Sequence, residues 1–296
     1  MNVNIYENCK NLSDEDEDKK GKYDKRNKLN DLTGKEWLKL TKSYMFSEKC
    51  AEDKEAFNHP APFLIKDIEK LISMFTKSGM TVLDPFAGSG TTLIASSNLE
   101  RKNISIDLNP NYRVLAESRL HNQGKEFNSE LTYLVGDSNK LIKSIDNVDY
   151  IVTSPPYHNI LRNKGAGLRK KNDNYRTGSR LGIEYYSEDI LDLGNQDDYN
   201  EFIRMLRSIM DKCYNKLNYK KYCSIIMSDF TVNKIEKNVQ GDIITMMNDI
   251  GYEFVGTIVL LQDNKPLYPF GYPYAFKINH VHQNIMNFRK FNRNEW

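Results

Sequence analysis

Residues 81–92 read TVLDPFAGSGTT, and this stretch decides the fold. Its first part, Thr81-Val82-Leu83, is a short apolar run typical of a buried strand, and a helix is predicted to begin at Thr91. The turn between them carries Gly88 and Gly90, which accept backbone angles that a side chain would forbid. A strand, a glycine-rich turn and a helix in this order predict the ligand-binding edge of an open α/β sheet.

The alternation of strands and helices continues on both sides of this turn. Apolar residues at helical spacing precede it from Leu64 to Phe75. Beyond it, strands are predicted at 104–106, 131–135, 150–152 and 224–227, and helices at 91–99, 112–120, 202–217 and 243–250. The last two predicted strands, 254–261 and 281–288, have no helix between them and are expected to pair as an antiparallel hairpin. The predicted fold class is α/β, with a mostly parallel sheet covered by helices on both faces.

Composition is consistent with one large domain and excludes several classes of protein. The chain has 296 residues, 42 Lys and Arg against 40 Asp and Glu, and a pI near 8.1, so any nucleic-acid surface must be local. Its four cysteines are scattered, which argues against a disulfide scaffold or a zinc ribbon. Residues 1–35, rich in acids and Lys, are predicted to form a flexible tail, and residues 36–296 the domain.

Targeting signals are not evident in the sequence. The longest apolar run, 255–261, is far shorter than the ~20 residues of a membrane helix. The first residues do not have the basic and then apolar pattern of a signal peptide. We therefore expect a cytoplasmic protein that makes no contact with a membrane.

The residues around the glycine turn narrow the choice of ligand. A phosphate-binding loop would carry Lys after its last glycine, and a dinucleotide-binding turn would carry a third small residue where Leu93 stands. Asp107 ends the next predicted strand and can accept both hydroxyls of a ribose, and Asp137 follows the third strand and can accept from an adenine amino group. A nucleoside without a pyrophosphate fits this set, so the predicted cofactor is S-adenosylmethionine.

A second turn, Ser154-Pro155-Pro156-Tyr157, follows the fourth predicted strand. Its prolines fix φ at about −65° and remove two donors, so the backbone is rigid and its carbonyls are free. The Ser154 hydroxyl and the Pro155 carbonyl can accept the two hydrogens of an exocyclic amino group, and Tyr157 can stack on the ring that bears it. This turn predicts a receptor for a planar amine whose lone pair points at a sulfonium methyl group.

Together the two turns resemble those of the DNA amino-methyltransferases, which transfer a methyl group from S-adenosylmethionine to cytosine N4 or adenine N6. The resemblance spans roughly residues 57–290. It implies a Rossmann-like class I methyltransferase fold, with a mostly parallel seven-stranded sheet and a terminal antiparallel hairpin. It also implies a modification enzyme of the restriction-modification type that acts on double-stranded DNA with the target base extruded. This chemistry needs no metal. A homodimer is kept as an alternative to a monomer.

The resemblance also assigns site residues. Residues 58–63 are similar to the family segment that helps hold the methionine end of the cofactor, and residues 280–290 resemble the closing strand of the sheet. The implied cofactor-binding residues are His59, Pro60, Phe63, Asp84, Phe86, Ala87, Gly88, Ser89, Gly90, Thr91, Thr92, Asp107, Leu108, Asp137 and Ser138. The implied catalytic residues are Ser154, Pro155, Pro156 and Tyr157.

The target base is suggested by the first position of the second turn. In the family, Ser at this position goes mostly with cytosine N4, and Asp or Asn mostly with adenine N6, so Ser154 favours cytosine. Both targets are aromatic amines that need an acceptor, so adenine N6 stays an alternative. Methylation at cytosine C5 needs a Cys nucleophile, typically after Pro, and no Cys of this chain follows Pro.

Residues 158–194 are the candidate target-recognition region. Between residues 158 and 182 the chain has seven Lys and Arg against one Asp, in a stretch that is long for a loop of a compact domain. A Pro- and Tyr-rich stretch, residues 266–274, is expected to help by wedging or stacking against unpaired bases. The predicted nucleic-acid-binding residues are Arg162, Lys164, Arg169, Lys170, Lys171, Arg176 and Arg180.

The order of the two turns departs from the commonest arrangement for this style of motif. There the catalytic turn comes first, whereas here the glycine turn precedes it, as in a circular permutant. A separate recognition domain is therefore not carried over to this chain.

Rival functions stay open at this point. An RNA base methyltransferase would use the same chemistry. A protein-glutamine methyltransferase uses an Asn-Pro-Pro-Tyr turn, so Ser154 and the basic stretch argue against it. An NAD-linked enzyme would need a small residue in place of Leu93, and a non-catalytic nucleic-acid-binding module would not need the glycine turn.

Overall fold

The computed structural model describes residues 21–158, 161, 185–233, 235–263 and 265–291. The seven basic residues predicted to contact nucleic acid lie outside these ranges. Residues 21–35, predicted as the end of the tail, pack on the domain. The buried side chain of Asn30 donates to the carbonyl of Met74 over 2.7 Å, and Asp31 forms an ion pair with Arg101 at 3.0 Å. The folded domain therefore begins ahead of residue 36.

Ten strands are present in the described ranges. In chain order they are β1 (Tyr44–Phe46), β2 (Thr81–Asp84), β3 (Lys102–Asp107), β4 (Leu131–Val135), β5 (Val148–Thr153), β6 (Leu217–Met227), β7 (Phe230–Val232), β8 (Ile235–Lys237), β9 (Tyr252–Leu261) and β10 (His282–Lys290). Eight of them form one sheet in the order β1-β9-β10-β6-β5-β2-β3-β4, and β7 pairs with β8 alone.

The directions of the strands confirm the predicted fold class. β2 is parallel to β3 and β5, β3 is parallel to β4, and β5 is parallel to β6. β10 is antiparallel to both of its neighbours, β6 and β9, which gives the expected terminal hairpin. The carboxyl ends of β2 to β6 and of β9 consequently lie at one edge of the sheet, which we call the carboxyl edge.

The sheet has one strand more than the seven predicted. The additional strand, β1, pairs in parallel with β9, placing Tyr44 beside Val259 and Phe46 beside Leu261. Three residues are too few to show a strand periodicity. This edge strand could therefore not be recognised before its partner was placed.

Helices cover both faces of the sheet. They are α1 (Gly34–Leu40), α2 (Ile65–Phe75), α3 (Thr91–Asn98), α4 (Pro110–His121), α5 (Ser138–Leu141), α6 (Tyr199–Lys216) and α7 (Val239–Ile250). Successive strand residues face opposite layers, so Val82 packs in the core with α2, α3 and α4, and Leu83 in the core with α6 and α7. None of these helices has the length and apolar content needed to span a bilayer within the described ranges.

Candidate functional site

The glycine turn joins β2 to α3 at the carboxyl edge. Gly88 and Gly90 have φ of 47° and 77°, in the left-handed region that favours glycine. A Cβ on Gly90 would lie 2.6 Å from the Cβ of Ala116, and a Cβ on Gly88 would lie 2.9 Å from Nε2 of His59. The two glycines thus allow the turn to pack against α4 and against His59.

Asp84, the last residue of β2, connects three elements behind this turn. It is buried, and one carboxylate oxygen accepts from the Thr153 hydroxyl at 2.6 Å and from the Phe86 N–H at 3.1 Å. The other oxygen accepts from the Thr92 hydroxyl at 2.5 Å. Burial raises the pKa of Asp84 to about 6, against the opposing effect of these donors. Asp84 fixes β2, α3 and the end of β5 to one another, and it does not line the cleft described next.

An open cleft at the carboxyl edge brings the acids and the second turn together. Asp107 and Asp137 lie on one wall, and Ser154, Pro155, Pro156 and Tyr157 lie on another. The two walls come from strands that are separate in the chain, β3 and β4 for the acids and β5 for the turn. Residues that are far apart in the sequence thus line one cleft, and their joint role in a site stays a prediction.

Asp107 is held by the backbone of the glycine turn. One carboxylate oxygen accepts from the Gly88 N–H at 2.8 Å and the other from the Asn109 N–H at 2.9 Å. A carboxylate has about four acceptor sites, so two are left for a ligand. Burial raises the pKa of Asp107 to about 7, which is well above the ordinary range of an aspartic acid.

The second acid of the cleft, Asp137, caps α5. Its side chain accepts from the Asn139 N–H at 2.9 Å. The neighbouring Ser138 lines the cleft and donates its hydroxyl proton to the carbonyl of Pro85 at 2.6 Å. These contacts join the end of β4 to the glycine turn and fix the orientation of Asp137.

Tyr157 is held by its hydroxyl group at the far end of the second turn. Its oxygen accepts from the Ser228 N–H and from Nε2 of Gln283, each at 3.0 Å. Its ring is buried and meets the ring of Phe230 edge-on, with centroids 5.7 Å apart. The ring is therefore fixed by residues that follow β6 and begin β10; β10 is one strand of the hairpin, and β6 is its neighbour.

A short segment after the undescribed stretch forms a further wall of the cleft. Tyr186, Leu191, Asp192 and Leu193 all line it. Asp192 is buried and accepts from the Ser187 hydroxyl and from the Gly194 N–H, both at 2.8 Å. The sequence assigned residues 185–194 to target recognition as part of the range 158–194, whereas the structure places four of them in the same cleft as Asp107.

Aromatic rings surround His59 on this side of the cleft. The His59 ring lies 4.5 Å from that of Tyr112 and 5.8 Å from that of Tyr186, measured between centroids. Its Nδ1 accepts from the Ala61 N–H at 3.2 Å. Burial lowers the pKa of His59 to about 4, so the ring is neutral at pH 7.

The lining of the cleft suits one kind of cofactor better than another. Three acids, Asp107, Asp137 and Asp192, face it together with aromatic rings, and the described lining includes no Lys or Arg. A dinucleotide would bring a pyrophosphate with two negative charges. A sulfonium nucleoside brings ribose hydroxyls and a cation, which carboxylates and ring faces favour. The residues present therefore fit S-adenosylmethionine.

The predicted site residues divide into two groups. Those that line the cleft are His59, Phe86, Asp107, Leu108, Asp137, Ser138, Ser154, Pro155, Pro156 and Tyr157. Those that do not line it are Pro60, Phe63, Asp84, Ala87, Gly88, Ser89, Gly90, Thr91 and Thr92. For the second group a direct contact with the cofactor stays a prediction. Within this group, Gly88 holds Asp107 through its N–H, and Thr92 bonds Asp84 behind the turn.

The sequence did not identify Tyr112, Ser228 and Gln283 as site residues, and it assigned Tyr186 and Asp192 only to the target-recognition region. Tyr112 lies on α4, where helical periodicity does not tell a core side chain from one that faces a cleft. Gln283 was quoted only as part of the closing strand, and its contact with Tyr157 spans 126 positions of the chain. A topology that placed β10 beside β6 would have been the signal needed to find it.

Comparisons with known proteins point to one family. A family model described as DNA methylase, of the N6/N4 type, matches residues 3–118. The orphan methyltransferase M.BamHII of Bacillus amyloliquefaciens is 40% identical over 75 residues, which are 25% of this chain and 28% of that protein. The type II methyltransferase M2.DpnII of Streptococcus pneumoniae is 40% identical over 68 residues, 23% of this chain and 25% of that protein.

These matches are local. The chain matches about a quarter of the length of each of these curated relatives. Among solved structures, TrmN from Thermus thermophilus is similar at 16% identity and a TM-score of 0.49, covering 81% of this chain and 52% of that one.

Proposed function

We propose that the chain belongs to the DNA amino-methyltransferase family and transfers a methyl group from S-adenosylmethionine to an exocyclic amino group of a base in DNA. The observation that carries the proposal is the shared cleft. Asp107 and Asp137 line it together with Ser154 to Tyr157, so a nucleoside cofactor and a planar amine can meet there. The local matches support the family, and the activity of this chain rests on the cleft.

The acidic wall is the proposed cofactor side. Asp107 accepts from the ribose hydroxyls with the two acceptor sites that its backbone bonds leave free. Asp137 accepts from the adenine amino group, and the rings of Tyr112 and Tyr186 with neutral His59 supply apolar and π faces to the rest. The bound cofactor supplies an electrophilic methyl group on a positively charged sulfur.

The second turn is the proposed base side. The Ser154 hydroxyl and the Pro155 carbonyl accept the two N–H groups of the target amine, which leaves its nitrogen lone pair directed at the methyl carbon. On gaining the methyl group the amine would lose one of these protons to solvent past the Ser154 hydroxyl, and the sulfur would leave as a neutral thioether. The Tyr157 ring, fixed through its hydroxyl, stacks on the extruded base. Because each group orients a reactant and none forms a covalent bond to it, positioning is the main catalytic device.

Cytosine N4 is the proposed target atom, with adenine N6 as the alternative. The proposal rests on Ser154 at the first position of the turn. Base-resolved sequencing of DNA from a host that expresses the protein separates the two. Methylation found only at adenine would contradict the cytosine assignment and leave the transferase intact.

The transferase itself is tested with labelled methyl. Purified protein, labelled S-adenosylmethionine and either DNA or RNA are incubated, and radioactivity in the nucleic acid is counted. We expect label in DNA, and a loss of at least a hundredfold in kcat for Ser154→Ala with little change in cofactor affinity. The matched control is Ser144→Ala, an exposed serine outside the cleft. Full methylation by Ser154→Ala and by Tyr157→Ala would remove the base side from the proposal, and label in RNA alone would establish the rival substrate.

A further inference from the structure

The connection between β9 and β10 presents a group of exposed aromatic rings. Tyr272, Tyr274 and Phe276 are 81%, 95% and 94% exposed, and Phe270 is also exposed. With Pro273 and Lys277 these rings line an open concavity formed by the connection itself. Burying such rings is favourable, and their exposure in one short stretch marks an interaction surface. We call residues 265–279 the aromatic loop.

Hydrogen bonds within the aromatic loop hold its backbone in a defined conformation. The side chain of Asn279 closes its neck, since it accepts from the Tyr268 N–H at 2.9 Å and donates to the Tyr268 carbonyl at 2.8 Å. At its tip the N–H groups of Tyr274 and Ala275 both donate to the Gly271 carbonyl. Gly271 has φ of 76°, and a Cβ there would lie 2.2 Å from the Ala275 carbonyl oxygen. The rings are therefore held outward by the backbone.

The location of the loop connects it to the base side of the cleft. It leaves the sheet at the carboxyl edge, where β9 ends and β10 begins. Gln262, just before the loop, donates to Gln283, and Gln283 in turn donates to the hydroxyl of Tyr157. The rings thus lie on the connection that leads into β10, and Gln283 near the start of β10 holds the proposed base-stacking tyrosine.

Charge favours a polyanion as the partner. The aromatic loop contains Lys265 and Lys277 and no Asp or Glu. Exposed rings beside cations, with no acid among them, are the combination that binds single-stranded nucleic acid through stacking and phosphate contacts. A partner protein with an acidic surface would use the cations but would not need several flat rings around one concavity.

We propose that the aromatic loop binds unpaired bases next to the extruded target, with Tyr272, Tyr274 and Phe276 stacking on base faces and Lys277 contacting a phosphate. This inference rests on the proposed function, because it takes nucleic acid as the substrate. The loop holds the opened strand while the target base occupies the cleft. Stacking of this kind tolerates any base, so the loop contributes affinity and leaves the choice of sequence to other residues.

The test measures binding to two strands of equal length, a labelled oligothymidine and the same backbone without bases. The variant Tyr272→Leu/Tyr274→Leu/Phe276→Leu keeps exposed apolar side chains and removes the rings. We expect it to raise the Kd for oligothymidine about tenfold or more and to leave the Kd for the abasic strand unchanged. Gly271→Ala, which disrupts the tip, should behave in the same way. The matched control, Tyr219→Leu, removes an exposed ring at the opposite end of β6 and should bind both strands as the parent does.

The outcomes separate this inference from the proposed function. If the parent methylates DNA and the triple variant keeps its Kd for oligothymidine, the loop assignment fails and the transferase stands. If the parent transfers no methyl to DNA but loses base-dependent binding in the triple variant, the transferase fails and the loop assignment stands. A triple variant that changes only the oligomeric state would show that the rings bind a second copy of the chain, which overturns the proposal.

Discussion

The buried hydroxyl of Tyr157 accepts two hydrogen bonds. This predicts that one substitution lowers the unfolding free energy in the parent protein and does not lower it once that hydroxyl is removed. Gln283→Met keeps the length of the side chain and removes the donor to Tyr157. In the parent protein the Tyr157 oxygen keeps its bond from Ser228, so the loss is one ordinary hydrogen bond, about 1 kcal/mol of unfolding free energy. In a Tyr157→Phe background the acceptor is already gone, and Gln283 is left with an unsatisfied donor. There the same substitution should cost nothing or stabilise.

The assay is a double-mutant cycle. Urea unfolding of the parent, both single variants and the double variant gives a coupling of about 1 kcal/mol or more, above the additivity error of roughly 0.3–0.5 kcal/mol. Because the bond fixes the ring, Gln283→Met should also lower kcat about fivefold, which corresponds to the same ~1 kcal/mol. Gln262→Met is the matched control, because it removes the bond to Gln283 and leaves the one to Tyr157. If Gln283→Met lowered the unfolding free energy equally in both backgrounds, the role of Gln283 in holding the Tyr157 ring would be refuted.

Three other predictions follow from the geometry of the cleft and its support. Burial raises the pKa of Asp107 to about 7, and the charged form accepts ribose hydroxyls better than the neutral form. Cofactor affinity measured by calorimetry should therefore rise from pH 6 to pH 8 in the parent protein. In Asp107→Asn the affinity should be weaker and independent of pH over this range. A Cβ on Gly90 would lie 2.6 Å from the Cβ of Ala116, so Gly90→Ala should lower the unfolding free energy in urea by about 1–3 kcal/mol. Adding Ala116→Gly should recover part of this loss. Equal stability of the single and the double variant would contradict the clash. Asp84 is destabilising when charged, because burial raises its folded-state pKa to about 6, so unfolding free energy should fall as pH rises from about 4 through 6. Thr153→Val removes a donor to the charged Asp84 carboxylate, so the decrease in unfolding free energy relative to the parent should be larger at pH 8 than at pH 4. A decrease that does not depend on pH would contradict this role.

The sequence predicted those parts of the molecule that depend on local pattern. The stretch TVLDPFAGSGTT contains a strand, a turn and a helix start within twelve residues, so β2 and α3 were identifiable. Asp107 and Ser154 come at or just beyond strand ends, and the parallel order of β3, β2 and β5 brings both to the carboxyl edge. For these residues, position along the chain was sufficient to predict the edge of the sheet at which they lie.

Side-chain direction was harder to predict. Asp84 also ends a strand at the carboxyl edge and was assigned to the cofactor, yet its carboxylate points to Thr92 and Thr153 inside the protein. The pattern of a strand end gives the edge of the sheet and does not say which polar group faces solvent. Contacts such as Gln283 with Tyr157 depend on the pairing of β10 with β6, which is a property of the whole sheet.

The Asp84 carboxylate has a bearing on the unusual order of the two turns. It bonds Thr92 beside the first turn and Thr153 beside the second, across the adjacent strands β2 and β5. The separation between the two turns is consequently set by the spacing of neighbouring strands, about 4.8 Å, and by one carboxylate. That separation does not depend on which of the two strands comes first in the sequence. Moving the chain ends to other surface connections should therefore preserve the relative position of the two turns.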